Sequence, residues 1–186
     1  MRRDREWEAV IGSVPLRVRV TAVLELCSLG FAAAAFARRG GDPVSASVGW
    51  GLVTLAVVAV SVAAHELGHL SVARRHRLEI VAVHITGALR ACVRRQSTTL
   101  RRTEMSVALA GPAATVLVAL AAATAVLLGH GAVAHAGLIG VALNATVLLV
   151  SMAPIPGADG TRAWRARRLA AGSSTWPRTT RAGSGR

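Results

Sequence analysis

Seventeen consecutive uncharged residues, Val48 to Ala64, run directly into His65-Glu66-Leu67-Gly68-His69. The polar cluster that closes such a run must face an interior and not lipid, because ionisable groups inside a membrane are costly unless partnered. On a helix the two histidines stand four residues apart and project from one face, one turn above the other. That spacing suits two imidazoles on a single Zn²⁺ and leaves Glu66 to act as general base toward water. The competing reading is a structural cluster of hydrogen-bonded side chains, and the apolar setting counts against it.

Three more apolar runs accompany this one, at about residues 20–37, 105–128 and 133–153, and the run carrying the histidines extends over about 48–73. Each is long enough to span a bilayer. Glu25 interrupts the first, and Ala35-Phe36-Ala37 offers a rival reading as a cleaved signal peptide. The long leader before that run favours a retained helix. The third run contains Gly111-Pro112, a pair that permits close helix packing and leaves a main-chain carbonyl unpaired. Around residues 78–87 the alternation of Leu78, Ile80, Ala82 and His84 with Glu79, Val81 and Val83 predicts a short strand or hairpin. The expected fold class is therefore an all-α membrane protein of about four transmembrane helices, with a short strand or hairpin between the second and third. Three regions follow: a basic cytoplasmic leader over 1–19, a core over 20–160, and an arginine-rich cytoplasmic tail over 161–186, partly disordered.

Composition supports a lipid setting. The 186 residues are 53% hydrophobic with 3% aromatics and no tyrosine, a mix that suits closely packed membrane helices. All 22 basic residues are arginine and the net charge is +13. Nucleic-acid binding could demand such a charge. The arginines instead sit beside apolar runs without interleaved stacking aromatics, so no nucleic-acid partner is expected. Five arginines precede the first run, eight lie in loop 74–104 and seven follow the fourth run, against two in loop 38–47. Twenty against two places both termini and the long loop in the cytoplasm. Trp164 and the arginines from Arg162 to Arg168 could rest on an anionic leaflet, although fixing orientation is the simpler role. Cys27 and Cys92 are isolated and indicate neither a disulfide framework nor a cysteine zinc site.

With that orientation, runs two and four end at the same face and run three starts there. His69, Gly111-Pro112 and Asp159 then share one depth. Catalytic zinc takes three protein ligands and an open position, and Asp159 is the choice for the third. The extended soluble pattern fails, since Val72 and Arg75 stand where it needs glycine and histidine and His76 is one residue out of register. Glu79 and Glu104 read as solvated loop charges, and His84, His130 and His135 as loop or packing residues. Asn144 and Ser151, polar on the fourth run, face the bundle in either a structural or a supporting role.

At this point the chain resembles the site-2 proteases, the intramembrane zinc metalloprotease family, over about residues 12–160. The residues that carry the resemblance are Gly12-Ser13-Val14-Pro15-Leu16-Arg17-Val18, the His65–His69 motif, Ala110-Gly111-Pro112, and Pro154-Ile155-Pro156-Gly157-Ala158-Asp159-Gly160. It implies zinc on His65, His69 and Asp159, with Glu66 as catalytic base. It also implies a single-span membrane protein as substrate, such as an anti-sigma factor or membrane-bound regulator, in a bacterial cytoplasmic membrane. Two positions depart from the family, Ser151 and Thr115, each standing where asparagine is usual. Both can hydrogen-bond but neither offers an amide, so the departures bear on substrate positioning and not on zinc. With Gly111, Pro112 and Asn144, Ser151 forms the expected supporting set.

The function expected is peptide-bond hydrolysis in or near transmembrane segments. The strand-like stretch at 78–87 could hold an unwound substrate by edge pairing. The alternative is a catalytically inactive zinc-binding scaffold of the same fold, which would need the ligands but not Glu66. A small transporter or channel subunit would leave the common depth of His65, His69 and Asp159 to coincidence.

Overall fold

A computed structural model describes residues 6–11, 14–87, 90–95 and 100–172. Gly12 and Ser13 of the leader motif and the tail beyond residue 172 lie outside the described residues. In chain order the elements are β1 (Glu6–Ile11), β2 (Val14–Arg19), α1 (Val20–Arg39), α2 (Val44–Arg75), β3 (Ile80–Gly87), β4 (Arg90–Arg95), α3 (Arg101–Leu128), α4 (Ala132–Met152) and α5 (Asp159–Gly172). The four helices α1 to α4 are long and apolar enough to cross a membrane. Their apolar side chains point outward as often as inward: Leu127 is 81% exposed, Phe36 80% and Leu149 74%. Such an exterior fits a bundle solvated by hydrocarbon, where the apolar groups need no burial against one another.

What α2 buries is small and polar. Its inward stripe reads Ser47, Gly51, Thr54, Val58, Ser61, His65, His69 and Ala73, repeating every three or four residues. Small residues along that stripe bring backbones together. A Cβ on Gly51 would stand 2.8 Å from the Gly30 carbonyl oxygen of α1, and one on Gly68 would meet the Ala110 carbonyl of α3 at 2.5 Å. On α4, a Cβ at Gly137 would come within 2.7 Å of the Ala122 carbonyl of α3. Asn144 of α4, fully buried, donates to Ser61 Oγ at 2.9 Å and ties α4 to α2 one turn from His65. α2 is thus the central helix, packed by α1, α3 and α4.

The sheet is larger than the sequence suggests. Its order is β1-β2-β3-β4, with β1 antiparallel to β2, β2 parallel to β3, and β3 antiparallel to β4. The expectation of an all-α protein with one short strand or hairpin is therefore incomplete, since the leader also folds into strands. Val14, Leu16 and Val18 alternate with Arg17 and Arg19, and the arginines reach across the hairpin to Glu8 at 2.8 Å and Glu6 at 3.2 Å. Counting those arginines as topology charges hides the period-two pattern they belong to. A second departure follows Asp159, where residues read as the start of an arginine-rich tail form α5.

The close approach of α1 and α2 yields a paired prediction. Gly51→Val inserts a side chain against backbone and costs about 1–3 kcal/mol of stability, whereas a Cβ at Gly49 meets nothing within 4 Å. Thermal melts in detergent should show Gly51→Val unfolding several degrees below wild type and Gly49→Val close to it. Equal losses in the two variants would contradict the packing.

Candidate metal centre

The stripe on α2 delivers two imidazoles to the same place. His65 and His69 are each 7% exposed, and Asp159, the first residue of α5, is 8% exposed. Asp159 Oδ2 lies 3.1 Å from His65 Nε2 and 3.2 Å from His69 Nε2, and the two Nε2 atoms are 3.2 Å apart. These near-equal separations match the edge of a tetrahedron built from zinc bonds of about 2.0–2.1 Å, which is about 3.3 Å. Among the described residues this is the group of His, Cys, Asp and Glu placed to hold a metal ion.

The surrounding hydrogen bonds decide which way the ring nitrogens point their lone pairs. His69 Nδ1 lies 2.7 Å from the Val107 carbonyl, which can only accept, so Nδ1 carries a proton. Thr115 Oγ1 donates to the Gly111 carbonyl at 3.1 Å and therefore accepts from His65 Nδ1 at 2.8 Å. In both neutral rings Nε2 is then left as an electron-pair donor. Two lone pairs and a carboxylate oxygen then converge, an arrangement that repels itself unless a metal ion sits among them or one ring takes up a proton. The chemistry of the set, two fixed neutral imidazoles and one carboxylate, fits zinc with an open position. As a ligand Asp159 must be ionised.

α3 supplies the wall behind the imidazoles. A side chain at Gly111 would overlap both rings, its Cβ 2.7 Å from His65 Nε2, so only glycine leaves them room. Pro112, buried beside it, lacks the N–H that would pair with the Ala108 carbonyl. Thr115, one turn on from Gly111 and fully buried, fixes the His65 ring. Its role was missed in the sequence, where it stood out only as a departure from asparagine, although its spacing of four from Gly111 puts both on one face. Ser151 donates to Leu148 of its own helix at 3.1 Å, and Asn144 pairs with Ser61 and the Gly140 carbonyl; neither bonds to His65, His69 or Asp159. His135 donates to the Gly131 carbonyl and packs beside Trp50, and His76 meets Ser106.

Glu66 leaves α2 in another direction, into an open-sided cavity of about 540 Å³ bordered by β2, α1, α2, β3 and β4. Apolar residues such as Leu16, Val62 and Val83 line it, and Glu66 and Arg74 are the charged groups in its wall. Glu66 Oε2 is buried without a hydrogen-bond partner among the described residues, and the carboxylate senses the charges of His65, His69 and Asp159. The site therefore has two sides: ligands packed on α3, and a carboxylate facing an apolar hollow under the sheet.

No sequence-family profile matches the chain, and no curated protein matches it. Solved structures do match. The site-2 protease from Methanocaldococcus jannaschii aligns with a TM-score of 0.64 at 17% identity, covering 89% of this chain and 73% of that one. The chain has a site-2 protease-like fold.

The Thr115 contact makes a measurable prediction. Thr115→Val leaves His65 Nδ1 without its acceptor and should weaken zinc affinity about 10–100-fold, the usual cost of losing a partner behind a ligand. Competition against a chromophoric chelator measures this. One zinc should still bind at saturation, and an unchanged affinity would contradict the assigned ring orientation.

Proposed function

We propose that the chain is an intramembrane zinc metalloprotease that hydrolyses peptide bonds in or near the transmembrane segments of single-span membrane proteins. The observation that carries this reading is the convergence of two lone-pair imidazoles and an ionised Asp159 beside Glu66. The likeness in fold to the archaeal site-2 protease supports it. His65, His69 and Asp159 would hold the ion, and zinc so bound would polarise a scissile carbonyl and acidify water.

The remaining steps belong to the chain's own residues. Glu66 takes the proton from the attacking water at its unpartnered oxygen and returns it to the leaving amine. The apolar lining of the cavity lowers the local dielectric, which strengthens each charge interaction there. A substrate helix has its carbonyls bonded internally and must unwind before one is attacked, so the hollow under the sheet is the place for an extended segment. Thr115 and the Val107 carbonyl keep both imidazoles aimed inward throughout.

The arginine distribution supports an orientation with both termini and the site toward the cytoplasm of a bacterial membrane, since α2 runs into Arg74 and Arg75 just past His69. The resemblance in motifs adds the substrate class of anti-sigma factors or membrane-bound regulators.

Glu66→Gln tests the proposal. The variant should fold and hold one zinc but lose cleavage of co-expressed single-span proteins by about 100-fold or more, the scale of general-base catalysis. Fragments on a gel, with zinc content in parallel, report the outcome. If wild type and variant both hold zinc and neither cleaves, the chain is a zinc-binding scaffold and the protease reading falls.

A further inference from the structure

The open-sided cavity beside Glu66 is unequal at its two ends. On α2 its wall is a ridge at a spacing of four: Val58, Val62, Glu66, Leu70 and Arg74. From Val58 to Arg74 the helix rises about 24 Å, the length of about seven residues of extended chain. Glu66 stands midway along the ridge. The rest of the lining, from α1, α2, β2, β3 and β4, is uncharged, so Arg74 alone makes one end cationic.

Arg74 is exposed at the end of the apolar run, and among the described residues its guanidinium has no hydrogen-bond or ion-pair partner. Neighbouring arginines are engaged: Arg17 with Glu8, Arg19 with Glu6 and Arg95 with Glu104. A guanidinium is a planar fork of donors that fits a carboxylate. Glu66 imposes the opposite preference at the middle of the groove, because a carboxylate beside it is repelled. An acid is therefore favoured at the Arg74 end and disfavoured at the reacting bond. Glu66 and Arg74 are separated by about 12 Å of helix, or about three to four residues of extended chain.

We propose that Arg74 is a specificity-determining residue, selecting an Asp or Glu about three or four residues from the scissile bond on the flank where the substrate leaves the apolar layer. The inference deepens the proposed function and rests on the groove receiving the substrate there. Apolar contacts are non-directional and leave an extended segment free to slide along the groove. One ion pair at the rim fixes the register, and with it the bond that lies beside Glu66. Arg74 is remote from the attacked carbonyl, so its contact is equal in ground state and transition state and is read in KM.

The experiment uses the full chain, zinc-loaded, in lipid nanodiscs, with a designed single-span peptide of constant apolar segment. Asp, Asn or Lys is placed at successive positions beyond that segment, and fragment masses locate the cut. For wild type, Asp three or four residues from the cut should lower KM about 5–10-fold relative to Asn, between an exposed ion pair and a charged hydrogen bond. kcat should change little, and shifting the Asp by one residue should shift the cut with it. Arg74→Glu should retain one zinc and prefer Lys over Asp at the same positions. Fluorescence anisotropy of the labelled peptides bound to Glu66→Gln should give the same order without turnover, inverted when Arg74→Glu is added. Equal KM for Asp, Asn and Lys in wild type overturns the proposal. So does an Arg74→Glu variant that slows every peptide alike, which would make Arg74 a lipid-facing charge. If wild type binds the peptides in the expected order but cleaves none, the protease reading fails and acid selection stands; if it binds none, both fail.

Discussion

Three electron-pair donors aimed at one another are the constraint on which the rest of this structure depends. His65 Nε2, His69 Nε2 and Asp159 Oδ2 stand within 3.2 Å of one another. Two hydrogen bonds on the far side of the rings forbid the simplest relief, a change of tautomer. Such a cluster needs positive charge among its three atoms, from a metal ion or from a proton on one Nε2. The surrounding fold reads as the means of keeping it. α3 comes close enough to α2 for glycine to stand against both rings, and α5 begins at the carboxylate itself. The connection from α4 turns at Gly157, whose φ of +91° is a conformation that glycine adopts without strain.

The same helix serves two chemistries because its faces part. Residues four apart share a face, so His65 and His69 look toward α3 while Glu66, one residue along, looks toward the sheet. The ligand side is tightly packed and the base side is hollow. A sheet over a helical bundle is the economical way to build that hollow. It walls the cavity with alternate side chains from β2, β3 and β4.

How much could be read from the chain beforehand depended on range. The His65–His69 spacing is a local property of a helix and was legible at once. Asp159 is ninety residues from His69, yet the arginine pattern and the lengths of the apolar runs brought both to one depth. The sheet was harder. β1 and β2 are stabilised by Arg17–Glu8 and Arg19–Glu6 pairs, so their polar faces read as a charged leader. The parallel pairing of β2 with β3 joins residues separated by all of α1 and α2, which no local pattern signals. Thr115 was invisible for another reason: its role depends on a hydroxyl that accepts from His65 while donating to its own backbone. Ser151 points the other way, a polar residue on the right helix whose hydroxyl is spent on its own backbone.

The central claim is that one zinc ion is gripped by two imidazoles from α2 and the carboxylate that opens α5. X-ray absorption at the zinc edge of the purified full chain tests it most directly. The account predicts one zinc per chain with two imidazole nitrogens and further oxygen neighbours, all at about 2.0–2.1 Å, and loss of the imidazole signature in the His65→Ala, His69→Ala double variant. A sulfur neighbour at about 2.3 Å, or an imidazole signature that survives removal of both histidines, would contradict it.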